Sequence, residues 1–182
     1  MGRTLTDGEV NDLFESYRYT ARRLEPRDTY NTKPEDESRR QLYAAGQLTD
    51  FSYLDPWVDK VSGWRSRGKR IQRVRVVTEP LSLDARYLLG LAKVNVRAGD
   101  EIRYLPRRRA EELDLDLPDQ DYWIFDATTA AIIHFDDDDW FTAWELVDDP
   151  AEIVSKLHHF DAAWHYSVSR DEFAAMHGVV DE

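Results

Sequence analysis

The 182-residue chain contains no cysteine. Disulfides, thiolate nucleophiles and Cys-ligated zinc or iron–sulfur centres are thereby excluded. Glycine is scarce, at 8 residues, and no GxGxxG or GxxxxGK[ST] run is present, so the phosphate-cradling loops of dinucleotide and P-loop proteins are missing. No serine sits in a nucleophile-elbow context. No apolar run approaches the roughly 20 residues of a membrane-spanning helix. The opening MGRTLTDGEVND has no apolar centre of a signal peptide. The expectation is a cytoplasmic protein with no membrane partner. Basic side chains nearly vanish in the last part: residues 111–182 carry 2 basic and 20 acidic groups. Residues 64–110 carry 13 and 4, residues 1–63 carry 9 and 12, and the whole chain has a net charge of −12. The acidic part repels DNA, so direct nucleic-acid binding is not expected. The positive segment can complement that acidic part or a partner's.

What is present suffices for a packed core: 42% hydrophobic residues and 12% aromatic ones. LTDGEVNDLFESYRYTARRLE has Val10, Leu13, Phe14, Tyr17 and Leu24 at helical spacing, with Thr6 and Glu9 as a capping box. EDESRRQLYAAG and DPWVDKVSGWRSRG read as further helices, ended by Gly46 and Gly68. The pattern then becomes a strand RVRVV (73–77), a helix from Ser82 to Gly99, and a strand DEIRYLP, the two strands parallel. RRRAEELDLDLPDQ reads as a loop that includes one helical turn. Strands at 122–126, 130–136 and 140–147, a long helix opened by Pro150 and a short last helix complete the chain.

The expected fold is α/β, with a mixed sheet of about 5–6 strands flanked by helices. Residues 1–63 form an N-terminal helical section packed on the main domain. Residues 64–168 form that α/β domain, and 169–182 a short C-terminal helix or tail.

The most conspicuous motif is IIHFDDDDWF (132–141). Two strands flanking Asp137, Asp138 and Asp139 fit a hairpin, and aspartate suits turns. A cation site is the alternative, but the run lacks the alternation, central glycine and distal glutamate of an EF-hand loop. Asp119, Asp121 and Asp126 form a D-x-D-x-x-x-x-D pattern that serves as an alternative metal set. Arg73 and Arg75 alternate on one strand and face one side. With Arg86, Arg103, Asp121, Asp126 and Glu145 they outline a candidate ligand cleft. Trp140, beside Asp137 and Asp138, is a candidate partner contact. No catalytic residue is assigned and no cofactor is expected.

Segments such as YRYTARRLEPRDTYN, GKRIQRVRVVTEPLS, NVRAGDEIRYLPR and ELVDDP resemble an uncharacterised actinobacterial family of unknown function. Its genes often lie beside helix-turn-helix regulators. That resemblance implies a cytoplasmic accessory or regulatory role with a helix-turn-helix protein as partner. Residues 68–166 resemble one half of the phospholipase D-like fold. Its catalytic motif H-x-K-x-x-x-x-D would fall on DQDYWIFD, with Asp126 as the aspartate and Asp119 and Asp121 where histidine and lysine belong. Without the nucleophile and the phosphate-binding lysine, the resemblance implies a noncatalytic member. Such halves pair across their clefts, which implies a homodimer. The leading expectation is a noncatalytic regulatory or binding protein for a protein or small ligand. The alternatives are a metal-dependent hydrolase or toxin-like nuclease built on the carboxylates, and an acidic DNA mimic.

Overall fold

The computed structural model describes residues 2–31 and 33–179. Its centre is one eight-stranded sheet of order β1-β7-β6-β5-β2-β3-β4-β8. The strands are β1 (Arg3–Leu5), β2 (Thr20–Glu25), β3 (Arg70–Val77), β4 (Glu101–Pro106), β5 (Asp121–Phe125), β6 (Thr129–Phe135), β7 (Phe141–Val147) and β8 (Val168–Ser169). β2, β3 and β4 run parallel, while β5, β6, β7 and β1 form an antiparallel series on one flank. The class is the expected α/β with a mixed sheet, but the sheet is wider by β1, β2 and β8. The stretch 1–63, expected to be helical, thus also supplies two strands, and β2 lies in the middle of the sheet.

The physical reason lies in TARRLE. Read alone, it continues the spacing of the helix before it. The helix α1 (Asp7–Ser16) instead ends early, at the C-cap Tyr17, after the Thr6–Glu9 capping box that opens it. Pro26 restricts Glu25 to extended backbone, and pairing on both sides with β3 and β5 outweighs local helical preference.

The remaining helices follow their local signals. α2 (Glu35–Ala44) is followed by Gly46 at positive φ. α3 (Asp55–Ser66) carries Pro56 in its first turn, with Leu54 at the N-cap position. α4 (Leu83–Ala98) runs from the Ser82 cap to Gly99 at φ 108°. α5 (Arg107–Glu112) is a short helix. α6 (Pro150–Tyr166) is capped by the Asp149 carboxylate, which accepts from the Ala151 and Glu152 amides. α7 (Arg170–Met176) is the short last helix. No helix among the described residues is long and apolar enough to cross a membrane.

The two faces of the sheet differ. Leu24, Val74, Tyr122 and Ile132 pack under Phe160 and Ile153 of α6 in an apolar layer. On the other face, α1 and α3 cover Trp123 and Phe125 with Phe14 and Trp64, and α4 and α7 cover Ile102 and Tyr104 with Leu89 and Phe173. Between these two clusters the sheet presents charge.

Candidate functional site: a cavity over a buried ion-pair network

Strand alternation puts Arg23 and Glu25 of β2 on the same face as Arg73 and Arg75 of β3, since Arg23 lies beside Arg73 and Glu25 beside Arg75. The Glu25 carboxylate is 1% exposed and meets three guanidiniums. It accepts from Arg75 Nε, from Arg73 at 3.3 Å, and contacts Arg23 at 3.1 Å. Arg23 also grips Asp121 through two bonds of 2.8 and 3.0 Å. Arg73 reaches Asp100 at 2.6 Å, a close ion pair without hydrogen-bond alignment. Arg75 further donates to the Leu88 carbonyl at 3.1 Å and to the Tyr104 hydroxyl at 3.3 Å.

Three arginines therefore balance three carboxylates, which is the condition for burying any of them. Burial alone would raise the Glu25 carboxyl, but Arg23, Arg75 and Arg73 overcome it and hold it at about 2. At Asp121 and Asp100 burial prevails and pushes the carboxyls up, against Arg23 and Arg73 respectively.

A cavity of about 660 Å³ opens above part of this network. That is within the size range of small-molecule sites. Arg23, Glu25 and Arg75 lie at its base. The sheet side adds Phe135, Phe141 and Trp144, with Tyr30 packed edge-on against Phe135 at 5.5 Å and Phe141 against Trp144 at 5.6 Å. The helical side adds Tyr53 and Tyr87, whose hydroxyls are 3.1 Å apart. Burial pushes both phenols up, so both stay protonated.

Helix α2 forms a wall although none of its residues is fully buried. It is attached by Arg40 to Asp84 of α4 at 3.0 Å and by Arg39 stacked 4.0 Å over the Tyr53 ring. Gly90 makes room for it: a Cβ there would sit 2.5 Å from the Tyr43 ring.

The residues singled out by sequence pattern do not form one cleft. Arg75 lines the cavity, and Arg73 and Asp121 belong to the network beneath it. Arg103 lies beside Val74, so the register puts it on the opposite face. There it bonds Ser167 and covers the Trp164 ring at 5.1 Å. Arg86 is exposed on α4 and reaches the His177 carbonyl at 3.5 Å. Glu145 bonds His134 at 2.7 Å and the Gly2 amide at 2.7 Å.

Asp126 sits at the other end of β5 from Asp121, at φ 50°. Its carboxylate accepts the Arg18, Tyr19 and Thr20 amides at 2.6 to 3.0 Å. Burial would raise it, but these three amides outweigh burial and lower it. Asp119 is exposed. Asp119, Asp121 and Asp126 thus cannot converge on one ion, and no metal set of three His, Asp or Glu forms among the described residues.

The aspartate run is a turn. Asp136 Oδ1 accepts the Asp138 and Trp140 amides, and Asp139 adopts φ 62°. Its outward side also straps the loop carrying Tyr30: Arg27 pairs with Asp139, and the Asn31 amide bonds the Asp139 carbonyl at 2.9 Å. Asp137 and Asp138 are exposed at the tip, and Trp140 is 40% exposed beside Phe141 at 37%.

Arg23, Glu25, Tyr30 and Tyr87 escaped the sequence reading. The available signal was Pro26, which argues for extended backbone at Glu25 and hence for alternation of Arg23 and Glu25 on one face.

Fold and cavity define an α/β domain with an enclosed ion-pair network as the floor of a small-molecule-sized site. The model of a domain of unknown function (DUF6879) matches residues 8–175, and the chain belongs to that family. Among curated proteins none matches the chain.

Proposed function

We propose that the chain is a noncatalytic binding protein whose cavity takes a small ligand, and that it serves as an accessory partner of a helix-turn-helix transcriptional regulator. The observation that carries the binding reading is the cavity whose floor charges are spent on one another. A general acid or base needs an exchangeable proton within reach of substrate. Here Glu25 and Asp121 are committed to guanidiniums, and Arg23 and Arg75 to carboxylates. A preorganised polar floor under aromatic walls is the usual build of a ligand pocket.

The resemblance to a phospholipase D-like half without its histidine and lysine supports the same reading, because Asp119 and Asp121 stand at those positions. The regulator as partner rests on the family resemblance and on the acidic C-terminal part, which suits a basic protein surface.

The test uses phenylnaphthylamine, an uncharged dye that brightens in apolar sites. It is expected to bind the folded protein, and Leu88→Trp, which fills the cavity from α4, is expected to abolish the signal while circular dichroism stays unchanged. A signal indifferent to Leu88→Trp would overturn the cavity as the binding site. Co-expression with a neighbouring helix-turn-helix regulator should give a complex on size exclusion. Two separate peaks would remove the regulator from the proposal.

A further inference from the structure

The chemical character of the ligand follows from which groups on the cavity lining remain uncommitted, an argument that rests on the cavity being the binding site. The deep charges are not available. Arg23 and Arg75 already face Glu25 and Asp121, and a charged ligand group lowered onto them would have to break bonds that keep buried charges compensated. The deep part of a ligand is therefore uncharged.

The walls are flat rings on two sides, Tyr30, Phe135, Phe141 and Trp144 from the sheet side and Tyr53 and Tyr87 from the helices. Rings present edges and faces that favour another ring, offset-stacked or edge-on. The two tyrosine hydroxyls share one hydrogen bond, which leaves one proton and several lone pairs for a polar atom on that ring.

At the rim the balance is different. Arg39 holds Asp36 at 2.8 Å, and Arg40 holds Asp84. Lys33, on the loop before α2, is exposed and has no ion-pair partner among the described residues. The other exposed charge on the lining, Asp7, stands in the first turn of α1, where the helix N-terminus already complements it. Among the described lining residues, Lys33 is thus a cation without an anion.

We propose that the cavity takes a small planar aromatic anion: its ring enters between the tyrosine pair and Trp144, and its carboxylate, sulfonate or phosphate pairs with Lys33 at the rim.

Two dyes with the same ring system separate this from the binding reading itself. Anilinonaphthalene sulfonate and phenylnaphthylamine differ by the sulfonate. At low salt the sulfonated dye is expected to bind about tenfold more tightly, the scale of one partly screened ion pair. Lys33→Ala should bring the sulfonated dye down to the affinity of the uncharged one, whereas Lys60→Ala, on α3, should leave the preference intact. High salt should shrink the preference. Naphthalene carboxylate should displace the sulfonated dye at concentrations at least about tenfold below those of octanoate, an anion without a ring.

Equal affinity for the two dyes, a preference that survives Lys33→Ala, or octanoate competing as well as naphthalene carboxylate would overturn the aromatic anion while the cavity stood as a site. If neither dye responds to Leu88→Trp, the binding reading itself falls.

Discussion

The two faces of one sheet solve the same problem in opposite ways. On the α6 face, Leu24, Val74, Tyr122 and Ile132 exclude water with apolar side chains and need no partner beyond packing. On the other face, between the apolar clusters around Trp123 with Phe125 and around Ile102 with Tyr104, stand Arg23, Glu25, Arg73, Arg75 and Asp121, buried by mutual compensation. An apolar layer of the same volume would stabilise the fold as well or better, because desolvating six charges consumes most of what their attraction supplies. The apolar clusters on both faces account for stability. The charged face holds fixed dipoles under a cavity, which is what a selective site needs and a core does not.

The sharpest way to break this contrast is to remove Glu25. Glu25→Ala leaves three guanidiniums against two carboxylates, with Arg75 stripped of its partner, and a loss of about 3–5 kcal/mol in urea unfolding is expected. Phe160→Ala on the other face should lose a similar amount by opening a cavity. Only the Glu25 variant should also change dye affinity, because Phe160 lies across the sheet. A Glu25 variant as stable as the parent would mean that the network is not the buried unit described.

Acid offers a second cut. The Glu25 carboxyl is held at about 2 against an ordinary 4.5. Because the folded value is the lower one, its contribution is present above about pH 4.5 and is lost as pH falls toward 2, on the order of 3 kcal/mol. Asp121 and Asp100 act in the opposite sense, since burial raises them and protonation relieves them. The pH dependence of stability in Glu25→Gln should therefore be flatter than in the parent over that window. Parallel curves would remove Glu25 as the source.

Asp126 sharpens the contrast between site and scaffold. Asp126→Ala strands the Arg18, Tyr19 and Thr20 amides and should lose about 2 kcal/mol. Asp126→Asn should lose about half, since a side-chain oxygen remains and asparagine tolerates positive φ. Neither should alter dye binding. A change in dye affinity would return Asp126 to the site.

The smallest effects belong to the hairpin tip. Asp136→Ala gives up an acceptor for two amides and should lose about 1 kcal/mol. Asp138→Ala, whose side chain is exposed, should stay within about 0.5 kcal/mol. Thermal unfolding of the two variants side by side separates a turn-forming aspartate from a passenger.

Most elements were legible because their signals are local. The capping box at Thr6, the Ser82 and Gly99 limits of α4, Pro150 opening α6 and the aspartate turn all depend on residues within a few positions of one another. β2 was not legible as a strand, since the apolar spacing from Val10 to Leu24 favoured one continuous helix and Pro26 alone argued otherwise. With β2 went Arg23 and Glu25, and with them the network. Arg73 and Arg75 were visible as a same-face pair, but the groups they face are contributed by segments distant in sequence. Arg103 lies on the next parallel strand, which groups it with them in the sequence pattern, but its register beside Val74 sends it to the other face.

The sequence by itself determined an α/β chain without thiol chemistry, the limits of its later helices and the aspartate turn, because propensity, capping and turn geometry act between near neighbours. Only the tertiary structure decided that TARRLE is a central strand and that six scattered charges share one buried network. The same holds for the aromatic cavity that opens above that network. Strand order, register and the compensation of buried charge are contacts between residues far apart in the chain, and local pattern does not encode which of them meet.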